Sequence, residues 1–81
     1  MRIDKFLKVS RILKRRSVAN EACNGNRVKV NGKEVKPGYN LKIDDIVEIR
    51  FGSGSVKFRV KELKEFVKKE EADSMYEIIN G

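Results

Sequence analysis

Asn31-Gly32 stands between two stretches of alternating charged and aliphatic residues, and no other pair in the chain restricts the fold as tightly. A two-residue type I′ turn needs positive φ at both central positions, which Asn and Gly tolerate. RVKVNGKEVK, residues 27–36, is therefore predicted to be a β-hairpin, with Arg27–Val30 and Lys33–Lys36 as its arms. Val28 and Val30 alternate with Arg27 and Lys29, which gives one apolar and one cationic face. Pro37-Gly38 stops the second arm. A lone hairpin is marginal in water, so the rest of the chain must supply further strands and a covering layer.

The covering layer is legible on the N-terminal side. MRIDKFLKVSRILKRR reads as an amphipathic helix running into a basic cluster: Ile3, Phe6, Leu7 and Ser10 share a face, with Lys5 and Lys8 opposite. Asp4 precedes Lys8 by four residues, a favourable helical pair. Ile12 and Leu13 anchor the segment before the basic turn Lys14-Arg15-Arg16. Ser17 is the expected N-cap of a second short helix, in which Val18, Ala19, Ala22 and Cys23 share a face. This is not a full capping box, because Asn20 occupies the third position and Glu21 follows it. Asn24-Gly25 should end that helix, with Gly25 in the left-handed position.

Further strands follow. After a turn at Asp44-Asp45, Val47, Ile49 and Phe51 should face inward while Glu48 and Arg50 face out. Gly52-Ser53-Gly54-Ser55 should make the next reversal, after which Val56, Phe58 and Val60 alternate with Lys57, Arg59 and Lys61. Ala72, Met75, Tyr76 and Ile79 fall at helical spacing, and Glu70, Glu71 and Asp73 suit the start of a closing helix. The expected fold is α+β: two N-terminal helices packed on a small antiparallel sheet, with a C-terminal helix. With 81 residues and a limited core, a single domain over 1–81 is expected.

Charge then separates the two halves. Residues 1–36 carry eleven Lys and Arg against three carboxylates, and residues 37–81 carry eight against nine, so the whole net charge of +7 originates in the first half. Residues 2–16 alone hold seven cations against Asp4. Charge runs are commonly solubilising, and Lys57, Arg59, Lys61, Lys68 and Lys69 have acids nearby to balance them. Nothing local neutralises the N-terminal set. Its self-repulsion on ordered elements is relieved by a polyanion, the electrostatic footprint of a nucleic-acid binder. The arginines Arg2, Arg11, Arg15, Arg16 and Arg27 suit phosphate oxygens.

Other chemistries are poorly supplied. The chain has no histidine, and its one cysteine, Cys23, lies on the apolar face of a short helix, so no catalytic residues, metal site or cofactor are expected. A lone thiol fits a reducing cytosol. Gly52-Ser53-Gly54 lacks the Lys-Ser/Thr and following helix of a phosphate loop. No run approaches the length of a membrane span. The basic first helix resembles a presequence or membrane-surface helix in composition, but Asp4 counts against the presequence, and losing the segment would leave too little core. RNA is favoured over DNA because no helix presents base-reading Asn or Gln with dimeric half-site architecture. A short helix pair beside a charged hairpin suits shape and backbone recognition of folded RNA. The six Phe and Tyr residues fall mostly on apolar faces, so phosphate contacts are expected to dominate over stacking.

With the elements placed, the stretch RIDKFLKVSRILKRRSVANEACNGNRVKVNGKEVKPGYNLKIDDIVEI resembles the S-four-type RNA-binding domain. Arg2-Ile3-Asp4 matches the family's helix start, Lys14-Arg15-Arg16-Ser17 its basic turn, and Gly25 to Gly32 its segment leading to Val-Asn-Gly. This core motif spans about residues 1–51, and residues 52–81 complete the sheet and the C-terminal helix. The remainder, including KKEEA and the later MY, is similar to stand-alone RqcP-type proteins, short relatives of the heat-shock ribosome-recycling factor. The resemblance implies a cytoplasmic, ribosome-associated, non-enzymatic monomer. It would bind large-subunit rRNA and tRNA on obstructed large ribosomal subunits carrying peptidyl-tRNA. There it would support an RqcH-type tailing factor in adding alanine to the stalled chain. Carried over by position, the RNA-binding set is Arg2, Asp4, Lys5, Lys8, Arg11, Lys14, Arg15 and Arg16, extended by Arg27, Lys29 and Asn31. Asp4 is readable either as orienting a neighbouring arginine, as accepting from a sugar hydroxyl, or as a helix-starting acid. A general rRNA or tRNA-binding module, a recycling factor without a tailing role, and a membrane-surface protein stay open at this level.

Overall fold

The computed structural model describes residues 1–52 and 54–79. Helices α1 (Ile3–Val9) and α2 (Arg16–Asn24) come first, followed by strands β1 (Val28–Val30), β2 (Lys33–Glu34), β3 (Ile46–Phe51) and β4 (Gly54–Val60). A 3₁₀ helix, Lys69–Met75, leads into β5 (Tyr76–Ile78). Among the described residues the strands form one antiparallel sheet in the order β2-β1-β3-β4-β5.

The hairpin forms where the turn chemistry places it: Asn31 and Gly32 have φ of 52° and 86°, and Val30 pairs with Lys33. The register then sorts the side chains. Val28 opposes Ile49, Val30 opposes Val47, and Val47 opposes Phe58, so these residues share one face. The two helices cover that face, with Ile3, Phe6, Leu7, Ala19 and Cys23 joining the strand residues in a single core cluster. Phe6 stacks on Phe58 at 6.1 Å, and Tyr76 meets Phe58 edge-on at 5.6 Å. On the opposite face Lys29 lies between Glu34 and Glu48, Glu48 opposes Lys57, and Arg59 opposes Glu77. That face is largely balanced in charge.

Several local expectations are corrected. The first helix ends at Val9, not in the basic cluster, because Arg11 adopts a left-handed φ of 64° and turns the chain back. The reversal lets the Leu13 amide donate to the Leu7 carbonyl at 3.0 Å and drops Leu13 into the core. Ser17 is not the N-cap of α2; Arg15 is, with no side-chain cap. Gly25 has φ −84°, and Asn26 takes the left-handed conformation in its place. A side chain at Gly25 would meet the Glu21 carbonyl at 3.2 Å, so close approach is what the glycine permits there. Val18 and Phe51, expected inward, are exposed.

The expected C-terminal helix is present but stops at Met75, and Tyr76 begins a strand. Backbone groups on the edge of β4 pair with it, Val60 opposite Tyr76 and Phe58 opposite Ile78. Ala72 and Met75 still point into the core. The reversal expected at Gly52-Ser53-Gly54-Ser55 includes Ser53, which lies outside the described residues. The strands flanking it are antiparallel, with Phe51 opposite Gly54.

Candidate nucleic-acid interface

The N-terminus of α1 has no side-chain cap. Its first amides are instead satisfied by the loop after the hairpin: Ile3 N–H donates to the Tyr39 carbonyl at 2.8 Å and Asp4 N–H to the Pro37 carbonyl at 3.3 Å. Leu41 N–H donates to the Met1 carbonyl, and Arg2 bridges to Asn40. The first turn is thereby locked to the hairpin, and Asp4 is held under α2.

Asp4 is 1% exposed, and a carboxylate so placed must be compensated. Arg2 donates to it from Nε and Nη2, each at 3.2 Å, and the Lys5 amide donates at 2.8 Å. From α2, Arg16 lies 3.3 Å away through Nε, and Asn20 Nδ2 donates at 3.4 Å. Burial alone would push the Asp4 carboxyl up. The hydrogen bonds from Arg16 and the Lys5 amide, the Arg16 charge and the Arg2 hydrogen bond outweigh it, and the group sits below its ordinary range. Arg2 and Arg16 themselves keep about half their side chains exposed, 54% and 48%. Each guanidinium is therefore fixed on one edge and free on the other. Fixed donors facing solvent are what phosphate recognition needs.

A groove of about 620 Å³ adjoins this clamp, with Lys5, Lys8, Arg11, Lys14 and Arg16 on its walls and Glu65 as its carboxylate. Glu65 is ion-paired to Lys5. Phe66, a residue without periodic context in the sequence, stands at the same groove, 91% exposed. Arg15 is exposed at the N-cap of α2.

The remaining residues of the sequence-derived set lie apart. Arg27 and Lys29 are on the strand side, in a small hollow with Asn26, Glu48, Arg50 and Ser55. Arg50, absent from that set, joins them because its amide pairs with the Arg27 carbonyl at 2.8 Å, a neighbour relation that only strand register reveals. Asn31 is engaged within the fold: its Nδ2 donates to Asp45 at 3.1 Å and its Oδ1 accepts from the Ile46 amide at 3.0 Å. Asp45 Oδ2 accepts from the Lys42 amide at 3.0 Å. The cation-rich edge is thus continuous from Arg2 through α1 to Arg16, and interrupted before Arg27.

Cys23 is fully buried, and burial followed by the Asp4 charge pushes its thiol up to about 11. Such a thiol is protonated and poorly nucleophilic at neutral pH. Among the described residues, no group of three His, Cys, Asp or Glu side chains is placed to hold a metal ion, and no helix is long and apolar enough to cross a membrane.

Residues 1–47 match the S4 domain. A Streptococcus pneumoniae protein named RQC P-site tRNA stabilizing factor is 54% identical over 80 residues, covering 99% of this chain and 91% of its own length. The Bacillus subtilis protein of the same name is 47% identical over 79 residues, 98% of this chain and 92% of its own. Among solved structures, Vibrio cholerae heat shock protein 15, described as trimeric, superposes with a TM-score of 0.90 at 26% identity, over 98% of this chain and 81% of that one.

Proposed function

The chain belongs to the S4-domain family, among relatives named RQC P-site tRNA stabilizing factor, and from that premise we propose that it is an RNA-binding factor of ribosome-associated quality control. It binds obstructed large ribosomal subunits that carry peptidyl-tRNA, through rRNA and tRNA backbones, and steadies the tRNA while an RqcH-type tailing factor adds alanine to the stalled chain. It acts as a cytoplasmic monomer over residues 1–81, by holding RNA and not by chemistry of its own.

The observation that carries this reading is the pair of half-exposed arginines, Arg2 and Arg16, fixed on buried Asp4 at the end of a cation-lined groove. In this assignment Arg2, Lys5, Lys8, Arg11, Lys14, Arg15 and Arg16 meet phosphates. Asp4 orients the two arginines, and Asn31 holds the hairpin against β3. Arg27 and Lys29, joined by Arg50, form a separate and smaller contact. The likeness to heat shock protein 15 supports a second reading, a ribosome-recycling factor without a tailing role.

Co-sedimentation with purified large subunits, with and without P-site tRNA and across a salt series, tests the proposal. Binding strengthened by the tRNA and weakened steeply by salt is expected. Equal binding to anionic liposomes would overturn it. Restoration of alanine tailing in a reaction lacking the endogenous factor separates the tailing role from the recycling reading.

A further inference from the structure

Phe66 is the outlier among exposed apolar side chains. The other large ones described, Val18, Ile43, Phe51 and Ile78, are between 38% and 51% exposed, whereas Phe66 is 91% exposed. A single exposed apolar residue is ordinary and by itself signifies nothing. The surroundings of this one are what distinguish it. It lies in the irregular segment between β4 and the 3₁₀ helix, and that segment is tethered on both sides of the ring. Leu63 and Val67 pack against the core, and Glu65 pairs with Lys5. The backbone is thus held while the ring remains in solvent, over a groove with an apolar floor of Val9, Leu13 and Val67 and the cations Lys5, Lys8, Arg11, Lys14 and Arg16 around it.

Such a site is suited to a ligand that is polyanionic and aromatic at once. Glu65 takes Lys5 and Asp4 takes Arg16, and among the described residues Lys8, Arg11 and Lys14 have no carboxylate partner, so an acid-poor or apolar protein segment would leave these three uncompensated. An RNA strand supplies both parts: phosphates for the cations and a base face for the ring. We propose that Phe66 is a stacking platform for one unpaired RNA base, presented by a strand whose phosphates run along the α1 groove. The inference rests on the RNA-binding reading above and adds to it a contact with a base, where that reading invokes only the backbone.

Large ribosomal subunits carrying P-site tRNA are the probe. Phe66→Ala should weaken binding between roughly fivefold and a hundredfold, the range for one stacked base. The slope of log affinity against log salt should not change, because no phosphate contact is lost. Phe66→Leu should lose nearly as much, since it keeps apolar bulk without a π face. Thermal unfolding of both should match the parent, as the ring is in solvent. The chain contains no tryptophan, so Phe66→Trp introduces a single reporter. Its fluorescence should be quenched by the subunits and not by heparin, a polyanion without bases. Full affinity in Phe66→Leu, or a blue shift without quenching in Phe66→Trp, would reassign the ring to a protein surface and overturn the proposal. Unchanged affinity in Phe66→Ala, with parent binding intact, would overturn stacking alone. Failure of the parent protein to bind would remove the RNA reading and the stacking contact together.

Discussion

The Asp4 carboxylate lies 3.3 Å from the Arg16 guanidinium and joins α1 to α2 through a charge with only 1% of its side chain exposed. The same carboxylate holds Arg2, so one buried acid determines the direction of two cations on the surface. With Arg2 and Arg16 proposed to meet phosphates, stability and RNA affinity are expected to be coupled at this point.

Asp4→Asn should lower the unfolding free energy by about 1–3 kcal/mol, the loss expected for charged hydrogen bonds whose partners stay half in water. It should also weaken large-subunit binding by releasing Arg2 and Arg16. Because the folded carboxyl lies below its ordinary value of 3.8, its contribution is complete above that value and is lost as pH falls beneath it toward the lowered one. The stability gap between the parent and Asp4→Asn in denaturant titrations should shrink from pH 6 to pH 3. A gap independent of pH would refute the clamp.

Arg16→Ala should cost about 1.5–3 kcal/mol in large-subunit affinity through one charge-assisted phosphate contact. It should also lower the melting temperature, since Asp4 then relies on Arg2, Asn20 and the Lys5 amide. Arg16→Lys keeps the charge but not the fork that reaches Asp4 and phosphate together, and should recover only part of both. Full affinity in Arg16→Ala at moderate salt would remove this residue from the interface.

At Arg11 the two properties should separate. Its left-handed φ of 64° costs a non-glycine residue about 1 kcal/mol, which glycine does not incur. Arg11→Gly should thus keep or slightly raise the unfolding free energy while weakening RNA binding. A variant that both unfolds easily and binds normally would contradict the assignment on each count.

Charge removal should matter by location. Neutralising Lys8 and Lys14 together should flatten the salt dependence of binding by somewhat less than one log unit per lost phosphate contact. Neutralising Lys57 and Arg59 should leave the slope alone, because Lys57 opposes Glu48, and Arg59 lies 3.6 Å from Glu77 and 3.9 Å from Asp44. Equal flattening in both pairs would mean that the RNA surface wraps around the sheet.

Cys23 offers a probe of the fold. A buried thiol raised to about 11 should resist alkylation at pH 8 until the chain unfolds, so labelling should follow the denaturant transition. Rapid labelling of the native protein, with RNA binding lost and the fold retained, would show that the thiol is accessible and belongs to the interface.

The parts of this protein that the sequence determined unaided are those set by neighbouring residues. Asn31-Gly32 specifies its own turn, and alternation over 46–51 and 54–60 specifies most of which side chains turn inward. The excess of charge in residues 1–36 points to the N-terminal half, which supplies Lys5, Lys8, Arg11, Lys14 and Arg16 to the groove. Tertiary structure decided whatever depends on a partner distant in the chain. The first helix stops at Val9 because burying Leu13 against α1 favours a strained Arg11 over another helical turn. Tyr76 leaves the helical pattern because the open edge of β4, sixteen residues earlier at Val60, offers backbone hydrogen bonds that a short helix end cannot match. Arg2 and Arg16 become one site only when α2 folds over α1 and both meet the carboxylate of Asp4. Phe66 is exposed because Leu63 and Val67 on either side of it take the positions against the core. Periodicity reports which face a residue occupies on its own element, whereas long-range packing decides what that face meets.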